Sequence, residues 1–226
     1  MTLNKIYVIQ KYSAYLIPIA LIFSVFVADL SVVILSITFL IYQLKITGKK
    51  IFYNKIFIFF LIFWLYLIFN SFLSYDIGTS MSRSLPYLRF GFLILALSFL
   101  LKDDIFKQNF LKLVFFLLLF LCFDAIFQYL IGFNLAGYDR HISRVSSFFN
   151  EELIMGGFLL KMYPIFLISL FAFKKKNLIN RKIFIIIIII YSFCIFISGE
   201  RTAFFNFILL NFILLLIFYR KKHLNY

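Results

Sequence analysis

Residues 110–131 read FLKLVFFLLLFLCFDAIFQYLI, an apolar stretch whose only charged residues are Lys112 and Asp124. A helix that spans a membrane needs about 20 mostly apolar residues, so this stretch predicts one span. Further stretches of similar composition lie on both sides of it, at Ile51–Leu73, Pro86–Leu101, Leu153–Phe173, Ile183–Ile197 and Thr202–Tyr219. The pattern predicts an all-α polytopic membrane protein.

The composition of the whole chain agrees with this fold class. The chain has 226 residues, of which 64% are hydrophobic and 14% charged, and its mean hydropathy is +1.03. Soluble domains are about 45–50% apolar and about 25% charged. Cys122 and Cys194 lie within apolar segments, without the spacing of metal ligands. A soluble enzyme, a nucleic-acid-binding module and a disulfide-rich secreted domain are therefore excluded, and neither a metal nor another cofactor is predicted.

The stretch Tyr12–Leu44 is too long for one span. Its 33 residues would rise about 50 Å as a single helix, whereas the hydrocarbon core is about 30 Å thick. Asp29 lies near its middle, and an unpaired carboxylate is costly in lipid. We therefore predict two helices that turn around Ala28–Asp29, which makes a bundle of about eight transmembrane helices.

The basic residues predict the orientation of these spans. With eight spans and a cytoplasmic N-terminus, 17 of the 23 Lys and Arg residues lie on the cytoplasmic side, as the positive-inside rule requires. The prediction is a multi-pass protein of the bacterial inner membrane with both termini cytoplasmic. Residues 1–226 are expected to form one integral membrane domain, with two longer external segments, Ser74–Leu85 and Gly132–Glu152.

The arginines are distributed differently from the lysines. In this topology 15 of 16 Lys lie inside, but five of seven Arg lie outside. Arginine binds phosphate oxygens two at a time through its planar fork, so the external arginines suggest an anionic ligand such as a lipid diphosphate. Alternatively, they extend toward lipid headgroups or pair with the external acids. The external arginines are Arg83, Arg89, Arg140, Arg144 and Arg201, and the acids are Asp139, Glu151, Glu152 and Glu200.

Two of these arginines, Arg144 and Arg201, lie near the start of a predicted helix. Arg201 opens the last predicted helix, where free N–H groups and the helix dipole favour an anion. Arg144 lies in the long external segment shortly before another helix begins. Gly156–Gly157 near the start of that helix would permit close helix approach or a bend at the mouth of a cavity.

Asp124 and Gln128 are four residues apart on one predicted helix, so they share a face. An acid within a membrane span is usually functional or paired with a base. A helix-packing hydrogen bond to a neighbouring segment is the equally favoured alternative.

Several of these segments together resemble the O-antigen ligase and O-antigen polymerase family. Members have an Asp-x-x-x-Gln-x-x-x-Gly helix end, then Arg-hydrophobic-Ser-Gly, an acidic pair, Gly, and a basic residue shortly before Pro. The matching segments here are DAIFQYLIG (124–132), RVS (144–146), NEELIMG (150–156), Lys161 with Pro164, SGERTA (198–203) and, more weakly, RSLPYLRF (83–90).

The resemblance implies a function. Family members resemble inverting, metal-independent glycosyltransferases that transfer an undecaprenyl-diphosphate-linked glycan to a glycan or lipid A-core acceptor at the periplasmic face. Arg144 and Arg201 match the two arginines expected to bind the diphosphate. Arg83, Arg89, Asp124, Gln128, Glu152 and Lys161 match supporting positions. Membrane lipids, and other proteins of envelope polysaccharide assembly, are the further partners implied, and no nucleic acid is.

The chain also departs from the family pattern. Ser147 replaces the usual Gly and Lys161 the usual Arg. Members have about a dozen spans and a large periplasmic loop carrying a histidine that activates the acceptor. His141 lies in a different loop and His223 on the cytoplasmic side of the predicted topology, so no catalytic residue is assigned. We expect this chain to be an N-terminal portion of a family member and to lack transfer activity by itself.

Two other functions fit the same arginines less well. A transporter or flippase of lipid-linked anionic glycans would need an external anion site, but inverted repeats and interrupted mid-membrane helices are not recognisable in the sequence. A membrane scaffold without chemistry leaves the external arginines unexplained.

Overall fold

The computed structural model describes residues 2–46, 48, 54–142, 144–175 and 178–224, with only the backbone of 218, 219 and 221–224. The chain folds into two compact units, Met1–Phe110 and Leu111–Tyr226. Helices in the first unit are α1 (Leu3–Phe23), α2 (Val25–Ile46), α3 (Lys55–Phe72), α4 (Ile77–Ser84) and α5 (Leu88–Leu100). Helix α6 (Asp104–Ile131) begins there and continues into the second unit, followed by α7 (Met155–Lys175), α8 (Arg181–Ile197) and α9 (Arg201–Leu224).

The predicted fold class is confirmed: the protein is an all-α polytopic membrane protein. Six helical segments of the described ranges are long and apolar enough to cross a membrane, with Ile77–Leu100 counted as one segment. The others are α1, α2, α3, α6 and α7. Helix α8, with 17 residues, and the apolar part of α9, Arg201–Ile217, are shorter. Helical segments thus occupy the positions of all eight predicted spans, although residues 51–53 of the third lie outside the described residues. That residues 1–226 form one domain stays a prediction.

The N-terminal hairpin forms as predicted, but its turn lies elsewhere. Helix α1 ends at Phe23, and Ser24 alone, with extended backbone angles, separates it from α2. The predicted turn at Ala28–Asp29 is therefore wrong, because Asp29 lies inside α2. Its carboxylate accepts a hydrogen bond from Arg89 Nη2 at 2.9 Å. That ion pair allows a charged residue to lie within a spanning helix.

Polar side chains fix where several helices begin. Asn54 accepts from the Ile56 N–H at 2.9 Å, Asn180 from the Ile183 N–H at 2.9 Å, and Asp103 from the Ile105 N–H at 2.9 Å. Such caps satisfy N–H groups that have no partner inside the helix.

The Asp103 carboxylate also accepts hydrogen bonds from Lys11 Nζ and the Tyr7 hydroxyl, at 2.7 and 3.0 Å. The hydrogen bond from Lys11, then the one from Tyr7, lowers the pKa of Asp103 to about 2.

Each unit has its own apolar core. In the first unit the core is formed by Ala14, Leu35, Phe39, Phe57, Leu95, Ala96, Leu100 and Phe106. In the second, Phe166 stacks on Tyr191 with ring centroids 4.2 Å apart, and the Tyr191 hydroxyl donates to the Leu159 carbonyl at 2.7 Å. This core fixes α7 against α8, and the residues at one end of these two helices build the candidate site.

Candidate functional site

The candidate site lies in the second unit, where the end of α6, the segment 132–154, the start of α7 and the α8–α9 turn meet. Asp124 and Gln128 on α6 hold the segment in place. The Gln128 Oε1 atom accepts from the N–H groups of Ser146 and Ser147 at 3.1 and 2.7 Å, and its Nε2 donates to the Tyr138 carbonyl at 3.2 Å. The predicted shared face is confirmed, and both side chains are fully buried.

Asp124 binds the same segment from one turn earlier on the helix. Its carboxylate accepts from the Leu135 N–H at 2.8 Å and from the Ser147 hydroxyl. No basic side chain of the described residues pairs with it, since the ion pairs found there involve other acids. The hydrogen-bonding alternative raised by the sequence therefore describes Asp124, and its contacts are with a loop instead of another helix.

Ser147 occupies a backbone conformation that glycine adopts more easily. Its φ is +52°, in the left-handed region where a side chain is strained. Here the Ser147 hydroxyl donates to Asp124, and both of its backbone polar groups are hydrogen-bonded as well. These bonds offset the strain and tie this point of the segment to Asp124 and Gln128 of α6.

Asn134 is a structural residue that the sequence analysis missed. It is 1% exposed, and its Oδ1 accepts from the Ala136 and Tyr138 N–H groups at 3.0 and 2.8 Å. Its Nδ2 donates to the Ser147 carbonyl at 2.9 Å. The spacing of Asn134 from Gly137, which has a φ of +83°, is typical of a turn and could have identified it.

Arg144 is brought to the end of α8 by its neighbour. Val145 is 1% exposed, and its N–H donates to the Ile197 carbonyl at 3.3 Å. The Arg144 N–H donates to the His141 carbonyl at 3.3 Å, closing a short turn. The Arg144 side chain is half-buried beside Ile197, the last residue of α8.

The α8–α9 turn places Arg201 and anchors α7. Gly199, with a φ of +69°, allows the chain to reverse within three residues. The Glu200 carboxylate then accepts from the N–H groups of Gly156 and Gly157 at 2.7 and 3.0 Å. It occupies the N-terminus of α7, where a negative charge is stabilised. Arg201 follows as the first residue of α9, with an exposed side chain.

The α8–α9 turn packs closely against α7 at Gly156. Close approach was one of the two roles expected for the Gly156–Gly157 pair, but the approaching segment is a turn and not a helix. A Cβ atom on Gly156 would overlap Ser198 Oγ and lie 3.1 Å from Ser198 Cβ, whereas one on Gly157 would meet only Glu200 Oε2, at 3.1 Å. The Ser198 side chain therefore leaves no room for a Cβ atom at position 156.

We expect Gly156→Ala to lower the free energy of unfolding by about 2 kcal/mol. Overpacking against Ser198 costs about 1–3 kcal/mol, and loss of the Glu200 cap costs about 1 kcal/mol. The higher helix propensity of alanine offsets about 1 kcal/mol of this cost. Thermal unfolding in detergent measures the change. Gly157→Ala should cost less, because a carboxylate can shift. Gly78→Ala, whose Cβ would have ordinary contacts, is the control. Equal stability of all three variants would contradict this packing argument.

Arg144 and Arg201 line one cavity of about 830 Å³. Its wall also includes Tyr129, Phe196, Gly199 and Glu200. Neither arginine has a carboxylate oxygen within 4.0 Å among the described residues, and the Glu200 carboxylate is hydrogen-bonded to α7. The structure therefore places two arginines without a carboxylate partner in the wall of one cavity, where they can bind an anion. That this anion is a diphosphate stays a prediction.

The other predicted site residues do not line this cavity. Arg83, at the end of α4, and Arg89, on α5, belong to the first unit, where Arg89 pairs with Asp29. Glu152 and Lys161 are exposed side chains of the second unit. The alternative that external arginines pair with acids thus holds for Arg89, although its partner is not one of the acids proposed for it.

Comparisons with known proteins add no assignment. No protein-family model, no curated protein and no solved structure matches this chain.

Proposed function

We propose that the protein binds the diphosphate of an undecaprenyl-diphosphate-linked glycan and serves its transfer to a glycan or lipid A-core acceptor. The observation that carries this proposal is the position of Arg144 and Arg201 in one cavity, without carboxylate partners among the described residues. The ordered motifs that resemble the O-antigen polymerase and ligase family support it independently.

The chemistry of the cavity suits a diphosphate leaving group. Each guanidinium can donate two parallel hydrogen bonds to phosphoryl oxygens. Arg201 is the first residue of α9, and the N–H groups at a helix N-terminus can bind an anion as well. When a glycosyl bond to a diphosphate breaks, negative charge grows on the departing oxygens, and fixed positive groups lower the energy of that transition state. Arg144 and Arg201 would hold the diphosphate and stabilise this charge.

The apolar surface near the cavity suits the lipid part of the ligand. Phe196 and Phe204 line the cavity together with Leu153, and Phe196 is 60% exposed. A polyprenyl chain could lie against such side chains while its diphosphate contacts the arginines. We place the cavity at the periplasmic face of the bacterial inner membrane, because most of the lysines fall on the opposite side of the predicted topology.

Binding of matched lipids tests the proposal. The full chain in lipid nanodiscs is titrated with undecaprenyl-diphosphate–glucose and with undecaprenyl-monophosphate–glucose. We expect the diphosphate to bind about 10-fold more tightly or better, since two arginines can bind two phosphoryl groups and each charge-assisted hydrogen bond contributes about 1.5–3 kcal/mol. The preference should weaken as salt concentration rises. Equal affinity for the two lipids would overturn the diphosphate assignment.

A further inference from the structure

A second, smaller cavity of about 250 Å³ adjoins the one that holds Arg144 and Arg201. It is lined by Tyr129, Arg140, Ile142, Arg144, Val145 and Ile197. Three of these residues, Tyr129, Arg144 and Ile197, also line the larger cavity. Arg144 therefore borders both cavities.

Arg140 is held in a fixed place at the smaller cavity. Its Nη1 donates to the Tyr129 carbonyl at 2.8 Å, and its guanidinium carbon lies 5.4 Å from the centroid of the Tyr129 ring. Its own N–H donates to the Gly132 carbonyl at 2.7 Å. The hydrogen bond to Tyr129 uses one donor of the guanidinium, and the remaining donors are free to bind a ligand.

The charge around the smaller cavity is positive. Arg140 and Arg144 are its only charged lining residues among those described. Neither has a carboxylate oxygen within 4.0 Å in the described part of the chain. Two neighbouring guanidinium groups repel each other, and a bound anion would relieve that repulsion.

We propose that the smaller cavity binds a second negative group of the same ligand, carried by the sugar next to the diphosphate. This inference rests on the proposed function, since it takes the larger cavity to hold the diphosphate. If the diphosphate binds to Arg144 and Arg201, the first sugar would lie along the wall that the two cavities share, Tyr129, Arg144 and Ile197, and so come close to Arg140. A carboxylate or a phosphoryl group on that sugar would accept hydrogen bonds from Arg140 and Arg144. The substrate class is thus an acidic, lipid-diphosphate-linked glycan.

Three probes that differ only in the sugar test this inference. The full chain in nanodiscs is titrated with undecaprenyl-diphosphate linked to glucose, to glucuronic acid or to glucose 6-phosphate. We expect one or both acidic sugars to bind about 10-fold more tightly than glucose, and the one that gains identifies the negative group. Arg140→Gln should abolish this gain and leave glucose binding unchanged. Arg140→Lys keeps the positive charge but not the planar guanidinium group with its paired donors, so it should retain part of the gain in affinity.

Two results would overturn the inference while leaving the proposed function in place. The first is equal affinity of the wild-type chain for all three diphosphate probes. The second is an equal loss of all three affinities in Arg140→Gln, which would mean that Arg140 only holds its loop against Tyr129. If the chain instead prefers none of these probes over the monophosphate lipid, the proposed function fails and this inference fails with it.

Discussion

Replacing both Arg144 and Arg201 by alanine is expected to weaken lipid-diphosphate binding at least about 100-fold. Each substitution removes charge-assisted hydrogen bonds that contribute about 1.5–3 kcal/mol, and about 1.4 kcal/mol corresponds to a tenfold change in affinity. Because both side chains line one cavity, each single variant should lose part of the affinity. Titration of the variants with undecaprenyl-diphosphate–glucose in nanodiscs measures the effect.

Arg181→Ala is the matched control for this experiment. Arg181 is an exposed arginine at the first residue of α8, whereas Ile197, beside Arg144, is the last. The two ends of this 17-residue helix are about 25 Å apart. Loss of the Arg181 side chain should therefore leave lipid-diphosphate binding unchanged. Lys174→Ala, on the last turn of α7, serves in the same way. If these controls lose as much affinity as Arg144→Ala, the lipid is bound by general surface charge.

Asp124→Ala is expected to have the largest effect on stability, with a loss of about 2–5 kcal/mol. It would leave the Leu135 N–H and the Ser147 hydroxyl without their acceptor, and each unsatisfied buried group costs about 1–3 kcal/mol. Segment 132–154 should loosen, because Asp124 holds it to α6 at both Leu135 and Ser147. Thermal unfolding in detergent and limited proteolysis of this segment measure both effects.

A graded series separates this effect from a simple loss of charge. Asp124→Asn keeps an oxygen that can accept from Leu135, so its cost should be smaller. Asp139→Ala removes an exposed acid from the same segment and should be neutral. Asp124 does not line the cavity and acts only by positioning Arg144. Lipid-diphosphate binding should therefore fall in the same variants in which segment 132–154 becomes more sensitive to proteolysis. Unchanged stability of Asp124→Ala would contradict the role given to this residue.

Much of the fold could be predicted because the signal is local. A segment such as 110–131 must satisfy its own backbone hydrogen bonds in lipid, and a helix does so whatever its neighbours are. The fold class and helix positions therefore follow from apolar stretches alone. The predicted position of the first turn is wrong, because that prediction depends on Asp29 being an unpaired charge. Its pairing with Arg89, 60 residues away, could not be seen in the sequence.

The candidate site was predicted in part, and for the same reason. The sequence by itself identified candidate residues: the arginines predicted to be external, Asp124 and Gln128 on one helix face, and a glycine pair at a helix start. The tertiary structure decided how they are used, through contacts between segments far apart in the chain. The hydrogen bond from the Val145 N–H to the Ile197 carbonyl positions Arg144. The hydrogen bonds from Gly156 and Gly157 to the Glu200 carboxylate position Arg201. Together they bring the two arginines to one cavity. Apolar composition fixes each helix by itself, whereas a binding site depends on which helix ends meet, and that is set by packing and by hydrogen bonds that have no periodicity in the sequence.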